Sequence, residues 1–418
     1  MTAQADPDLG SQVSTRLLAV LAGSDLRAHA RAYGPVPQVP RGGLAGLVEA
    51  AGLRGRGGAA FPTHTKLRAV AGRGRPVVVA NGAEGEPASM KDRVLLSHAP
   101  HLVLDGVQVV AAGLGAREAY LYLPPQPAVV ERVRAAVAGR GREPASVELV
   151  VAPDTFVAGQ ETAVVAALEG RPAMPRLAIP PVYERGVGGR PTLVQNVETL
   201  AHIALVARYG ASWFRSVGAP DQPGTMLCSV GGGVASPGVV EVATGTLVRD
   251  VLDLAGGPTE PVGAVLVGGY HGAWLPAPQA LGLGLANDEL RPYGASVGAG
   301  VVAALPASRC GLVETARVAA YLSRESAAQC GPCLNGLPRI AGALIDIARS
   351  SASPRTVEDV RRWCGLVERR GACAHPDGTV RLVRSAFTTF ADEVDRHLRG
   401  RCSATSSAPV LPVPGGRL

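Results

Sequence analysis

The sequence predicts a mixed α/β protein: a parallel sheet flanked by helices, then a small strand-rich unit, then a helical C-terminal region. Three observations predict it. Between residues 45 and 215, short apolar runs at 77–80, 119–123 and 147–151 alternate with helical patterns at 102–110 and 128–137. Buried strands that alternate with helices are the signature of a parallel layer. Between 220 and 295, short apolar runs around Met226, Gly238 and Ala264 flank a helix-like stretch at 246–255 that stops at Gly256-Gly257, which fits a β-grasp-like module. Between 305 and 402, Val313, Ala316 and Leu322, then Val357, Val360 and Trp363, then Leu382, Ala386 and Phe390 recur at helical spacing, closed by Gly400. Residues 1–44 read as an N-terminal extension with a Pro-rich connector. Residues 403–418 read as a Ser/Pro/Gly-rich disordered tail.

The chain has 418 residues, enough for two or three domains, and its 47% hydrophobic content excludes a disordered polymer. The net charge of +7 is small and dispersed, with no basic stripe interleaved with aromatics, so nucleic acid is not expected as a partner. There is no apolar run long enough to span a bilayer and no secretion signal pattern, which points to the cytoplasm. Seven cysteines, an odd number, then read as reduced; Cys330, Cys333, Cys364, Cys373 and Cys402 crowd the C-terminal region and favour metal ligation over disulfides. Of the 41 basic residues only Lys66 and Lys91 are lysine. The arginine excess reads as coding bias, so the two lysines stand out, and both fall in motif-like stretches.

Five stretches carry chemistry. The loop Gly52-Leu53-Arg54-Gly55-Arg56-Gly57-Gly58-Ala59-Ala60-Phe61, followed by Lys66, can bring backbone N–H groups and a point charge to an anion. Its spacing is neither that of a P-loop nor of G-x-G-x-x-G, and a plain surface loop fits it equally. Asn81-Gly82-Ala83-Glu84-Gly85-Glu86 follows a buried strand, where open α/β sheets bind ligands. Its amide and two carboxylates suit ribose or ribityl hydroxyls, though a solvated turn would look the same. Gly159-Gln160-Glu161-Thr162 and Gln195-Asn196-Val197-Glu198-Thr199 are polar clusters that, taken singly, read as helix caps. Cys330-Gly331-Pro332-Cys333 with distant Cys373 suits an iron–sulfur cluster; zinc held with His375 is the other chemistry open to it.

Together and in order, these stretches resemble the flavoprotein family of respiratory complex I, the NADH-oxidising subunits that hold FMN and a [4Fe–4S] cluster. The matching segments are GLRGRGGAAFPT, NGAEGEPASMKDR, GQETAVVAALEGRPAMPR, GGRPTLVQNVETL, ESAAQCGPC and GACAHPDGTVRLVRSAF. The resemblance implies a Rossmann-like FMN domain over 45–215, an SLBB-like β-grasp insert over 220–295 and a helical iron–sulfur bundle over 305–402. It also implies an FMN or nucleotide site on Gly55, Arg56, Gly57, Gly58, Phe61, Lys66, Asn81, Glu84, Glu86, Gly159, Gln160, Glu161, Asn196 and Thr199. Glu84 and Glu161 would be catalytic, and Cys330, Cys333 and Cys373 would hold the cluster. Electrons would pass between FMN and the cluster to a redox partner protein: a ferredoxin or another oxidoreductase subunit, including a membrane-attached one.

The departures are specific. The family has Asp, Tyr, Glu and Asn where this chain has Ala83, Phe156, Gln160 and Gln195. It has a Lys and a Phe lining the nicotinamide dinucleotide where this chain has Ala178 and Pro181. The first cluster cysteine is Ala327, leaving Cys364, Cys402, Cys310 or His375 to complete the cluster, unless it is [3Fe–4S] or takes an outside ligand. The expected function is therefore an electron-transfer oxidoreductase with a kept FMN grip and an eroded NADH pocket. A non-catalytic docking subunit with the same fold and a zinc-stabilised binding protein are the alternatives.

Overall fold

Val77, Val78, Val79 and Ala80 have no exposed surface, and alternate members face opposite cores: Val78 and Ala80 toward one helix layer, Val77 and Val79 toward the other side of the sheet. A strand buried on both faces needs no polar alternation, which is why it reads as a continuous apolar run. The computed structural model describes residues 15–20, 25–40 and 42–415.

In chain order the first unit runs α1 (Leu26–Tyr33), α2 (Gly43–Ala51), α3 (Thr63–Val70), β1 (Val77–Asn81), α4 (Lys91–His98), α5 (Pro100–Leu114), β2 (Glu118–Leu123), α6 (Pro127–Ala138), β3 (Ser146–Val151), α7 (Glu161–Leu168), β4 (Thr192–Asn196) and α8 (Val197–Phe214). The sheet order is β3-β2-β1-β4, all parallel. α5 crosses α8 at backbone contact: a Cβ on Gly106 would lie 2.0 Å from the Leu200 carbonyl oxygen, so only glycine fits. Asp105 beside it is buried against His29 (2.7 Å), Arg140 (2.6 Å) and Arg208. Burial works against its charge, but the His29 hydrogen bond and the two guanidiniums prevail and hold it at about 2.

The second unit contains a short hairpin, β5 (Gly218–Ala219) and β6 (Gln222–Pro223), then β7 (Thr225–Gly232), β8 (Gly238–Ala243), α9 (Val248–Leu254), β9 (Val262–Val267), β10 (Ala273–Pro276), α10 (Ala277–Ala280), α11 (Asn287–Leu290) and β11 (Val301–Pro306). Its five-stranded sheet has the order β10-β9-β11-β7-β8, with β11 parallel to β7 and the other pairs antiparallel. β11 at the centre is the Gly-flanked apolar run that is too short to span a membrane.

The helical region comprises α12 (Gly311–Arg324), a π-type turn (Pro332–Gly336), α13 (Leu337–Ala348), α14 (Pro354–Val367), α15 (His375–Thr389) and α16 (Ala391–His397), packed on Leu312, Ile340, Leu344, Val360 and Val383. Among the described residues no single helix is long and apolar enough to cross a membrane.

Both chain ends differ from their sequence reading. Leu17 in the N-terminal extension is buried, and the amides of Arg16 and Leu17 donate to the Glu241 carboxylate on β8 at 2.9–3.0 Å. Residues 403–415 carry no regular element, as composition predicts, but they are not free. Leu411 is buried, its amide donates to Glu314 at 3.0 Å, and Tyr270 donates to the Pro412 carbonyl at 2.7 Å. The disordered-tail expectation is corrected by Val410, Leu411 and Val413, which pack on the core beneath. Residues 1–14 and 416–418 of these segments lie outside the described residues.

Candidate functional site

β1 and β4 are parallel neighbours whose last residues, Asn81 and Asn196, face each other in register. β2 lies on the opposite side of β1, so connections leave β1 in two directions. The crevice between the carboxyl ends of β1 and β4 is therefore the topological switch point, where open α/β sheets take their ligands.

The predicted polar residues gather here. Asn196 caps α8 by accepting the Glu198 amide (3.0 Å), and its own amide donates to Asp92 (2.7 Å). Asn81 donates to the Gly159 carbonyl (2.8 Å) and accepts the Ala83 amide (3.2 Å). Gln160 caps α7 by accepting from Thr162 (2.7 Å) and Ala163 (3.1 Å). These caps fix the 159–161 turn against β1. Lys66 on α3 donates to Glu161 (3.2 Å) and to the Val194 carbonyl of β4 (3.3 Å), both side chains being over a third exposed.

The glycine-rich loop folds over the start of α8. Gly55 donates to the Phe61 carbonyl (2.9 Å), the Arg56 amide donates to the Thr199 hydroxyl (2.8 Å), and a Cβ on Gly57 would sit 3.3 Å from Asn196 Cβ. Among the described residues, the amides of Gly57, Gly58, Ala59 and Ala60 donate to no acceptor. Gly58 takes φ +107°, a conformation that strains other residues. Phe61 is 46% exposed beside this cradle. Unpaired amides next to the positive end of an 18-residue helix are suited to an anion.

Four expected ligand groups are placed differently. The Arg56 side chain is buried and donates to the Pro223 (3.2 Å) and Thr225 (3.0 Å) carbonyls, anchoring the loop to the second unit. Thr199 is fully buried and holds the loop through its hydroxyl. The Glu84 side chain is 4% exposed and accepts from Ser89 (2.5 Å), Asp92 (3.1 Å) and Arg93 (3.3 Å), so it caps the first turn of α4. Burial and the Asp92 charge push its carboxyl up, and its oxygens are engaged, so it is not poised as a catalytic group. Glu86 turns to the second sheet, accepting the amides of Tyr270 (2.7 Å) and Ala88 (3.4 Å). Burial pushes it up to about 7. A Glu in a loop after a strand signals polarity but not the direction it points.

Lys91 is a structural cation. It is buried between Asp92 (2.7 Å) and Glu198 (2.9 Å). Burial opposes its charge, but the two carboxylates outweigh burial and hold the ammonium above the usual lysine range. Glu198 also accepts the Leu227 amide (2.9 Å), tying α8 to β7. Glu198 and Asp92, read only as motif neighbours, thus organise the floor under the loop.

Cys330 and Cys333 flank the start of the π-type turn, and Cys373 lies just before α15. They are mutual neighbours: burial first, then Cys330 and Cys373, push the Cys333 thiol up to about 12. The fourth-ligand candidates do not join them. Cys310 and Cys402 meet elsewhere, Cys364 is buried on α14, and His375 Nε2 faces the Leu322 carbonyl at 2.8 Å. The three units meet at one aromatic knot. Phe156 precedes the 159–161 turn, His271 lies between β9 and β10, and His375 opens α15. Their rings pack with centroids 4.8–5.4 Å apart. Gly378 is required here, since a Cβ would sit 2.2 Å from the His271 ring.

Known proteins share this arrangement. Residues 48–205 match the family model of the Nuo51 FMN-binding domain, and residues 228–269 match the SLBB domain. Residues 313–397 match the iron-sulfur binding region of NADH-ubiquinone oxidoreductase-F. The second of two F-type NADH-quinone oxidoreductase subunits of Rhizobium meliloti is 31% identical over 373 residues, covering 85% of this chain and 88% of the relative. The chain belongs to the family of F-type NADH-quinone oxidoreductase subunits. Another member, from Streptomyces coelicolor, is 29% identical over 86% of this chain and 83% of its own length. A crystal structure of an NAD+-reducing [NiFe]-hydrogenase in the H2-reduced state superposes with a TM-score of 0.80 at 32% identity. That match covers 85% of this chain, which spans 62% of the hydrogenase chain. Family and fold class agree with the sequence reading: a parallel α/β sheet, an SLBB unit and a helical iron–sulfur region.

Proposed function

We propose that this subunit transfers electrons between FMN, seated in the crevice between β1 and β4, and an iron–sulfur cluster on Cys330, Cys333 and Cys373. The observation that carries the flavin site is the set of unpaired amides at Gly57–Ala60 over the capped start of α8, with Asn81 and Asn196 in register below. FMN supplies two-electron exchange with a hydride donor and one-electron exchange with a cluster. The chain's residues bind and orient it. The loop amides and the α8 terminus take the phosphate, with Lys66 adding charge. Asn81 and the 159–161 turn hold the ring side, with Phe61 flanking, and Glu161 sets the position of Lys66. Ala327 leaves three thiolates, so a ligand other than a protein cysteine completes the cluster or the cluster is [3Fe–4S].

NADH is a weakened donor in this reading. Ala178 and Pro181 stand where the family carries a cation and an aromatic, and the same segment exposes Leu177 (61%) and Ile179 (73%). The Arg176 amide donates to the Thr162 hydroxyl at 2.8 Å, which holds this apolar lip beside α7. The acceptor is a redox partner: a ferredoxin or another component of an oxidoreductase complex. The site of action is the cytoplasm, at the membrane surface where the partner is membrane-attached.

Flavin and metal analysis of protein purified without oxygen tests this. The expected result is FMN and iron bound to the same chain. Absence of both would leave a docking subunit, and zinc in place of iron at the three cysteines would leave a binding protein. Rapid flavin bleaching at micromolar NADH would overturn the weakened donor pocket alone.

A further inference from the structure

Glu393 and His397 lie four residues apart on α16, so both face one side of the helix. Cys402 follows beyond its end, and Cys310 immediately precedes α12. One ligand atom from each of these four residues lies within 4.8 Å of the other three. We infer that Cys310, Glu393, His397 and Cys402 form a second metal site, a tetrahedral zinc-class centre separate from the cysteines of the electron-transfer site.

The spacing fits an ion at the middle. Zinc arms of roughly 2.3 Å to sulfur and 2.0–2.1 Å to nitrogen and oxygen set tetrahedral edges of about 3.5 Å (S to N) and about 3.4 Å (N to O). The observed edges are 3.4 Å from Cys310 Sγ to His397 Nε2 and 3.3 Å from His397 Nε2 to Glu393 Oε1.

The imidazole is oriented for ligation. His397 Nδ1 lies 2.9 Å from the Ile347 carbonyl, so it carries the proton, and Nε2 presents its lone pair to Cys310 and Glu393. An outer nitrogen fixed by a carbonyl is the usual support of a metal-bound histidine. Glu393 is steadied by the Ser403 amide (2.8 Å) and hydroxyl (2.6 Å). His397 is 2% exposed, whereas Cys402 is exposed and lies with Cys310 on a surface groove, which gives an ion a path in.

The donor set selects the metal. Two sulfurs and an imidazole suit zinc over magnesium or calcium, which take oxygen shells. Both thiols release their protons to solvent as the ion binds. The centre is structural, with four protein ligands and no open position. It pins the chain beyond α16 to the start of α12, just before the tail crosses Glu314. It does not depend on the flavin or on the three-cysteine cluster.

The test is metal content of the full chain, expressed with zinc supplied and purified without oxygen or chelator. The variants are Cys402→Ser, Cys310→Ser and Cys330→Ser. Wild type should hold one zinc per chain in addition to iron. Cys402→Ser, a surface change that leaves the core intact, should weaken zinc retention at least tenfold against a chromophoric chelator, with iron unchanged. Cys330→Ser should lose iron and keep zinc. The inference is overturned if wild type retains no zinc, or if Cys402→Ser retains it equally. It is also overturned by zinc loss with Cys330→Ser alone, or by a Cys310–Cys402 disulfide in the unreduced protein.

Discussion

Replacing Glu86 by glutamine should flatten the pH dependence of stability at one identifiable place. The Glu86 carboxylate reaches from the loop after β1 to the Tyr270 amide (2.7 Å), crossing from the first unit to the second. Burial raises it to about 7 in the folded chain, against an ordinary value of 4.5. The sign follows from which state holds the proton. Below pH 4.5 both states are protonated and nothing is lost. As pH rises toward about 7, the unfolded chain ionises first, so the folded state is progressively penalised, and above that the penalty is constant. A separation of about two and a half units at about 1.4 kcal/mol each gives roughly 3 kcal/mol. Part of the residue meets solvent, which trims the figure to about 2 kcal/mol. Glutamine keeps an acceptor for Tyr270 but cannot ionise. Urea unfolding of both proteins at pH 5 and pH 8 should therefore show wild type losing about 2 kcal/mol more than Glu86→Gln over that interval. Equal losses in the two proteins would refute the assignment of a buried, protonatable carboxylate at this junction.

Other perturbations separate the site from its supports. Lys66→Ala should lower FMN affinity about tenfold or more with little change in stability, read as flavin retained after dialysis. Lys91→Ala should instead destabilise the fold by about 3–5 kcal/mol, because Asp92 and Glu198 are left buried and unpaired. Asp105→Ala should cost a similar roughly 3–5 kcal/mol in urea unfolding through the stranded Arg140 and Arg208. In wild type, the contribution of Asp105 should persist above its ordinary value and fade only as pH falls toward about 2, since its folded form holds its charge down to there. Ala327→Cys should enrich a [4Fe–4S] form and lower the cluster potential, seen by paramagnetic resonance and redox titration. Unchanged spectra would mean that position 327 does not reach the cluster.

Much of the fold is legible in the sequence because its signals are local. Val77, Ala119 and Val147 sit in apolar runs that bury both faces, and Leu382, Ala386 and Phe390 keep helical spacing. β10 is not legible: Ala273–Pro276 is four residues long and gains its strand character only by pairing with β9. In the crevice, Asn81, Gln160 and Asn196 are legible because caps after strands have a fixed local grammar. Glu84 and Glu86 mislead because side-chain direction depends on α4 and on Tyr270, which no local pattern encodes. Leu411 escapes a sequence reading because three scattered apolar residues in a Pro/Ser tail carry no period. The second cysteine group is partly visible as Glu393 and His397 at helical spacing, but Cys310 lies 83 positions before Glu393 and is brought in only by the packing of α12 against the rest of the bundle.

The aromatic knot of Phe156, His271 and His375 bears on how fast electrons can cross the molecule. Each ring belongs to a different unit, and the Phe156 amide also donates to Glu325 at the end of α12. Rocking the bundle against the parallel sheet would have to part three ring contacts and slide Gly378 off His271. The span between the β1–β4 crevice and the three cysteines is therefore fixed by side-chain packing, not set by a hinge. Turnover in this protein should be ungated by domain opening, so its internal transfer rate should be insensitive to solvent viscosity, leaving arrival of donor and departure to the partner as the steps that viscosity slows.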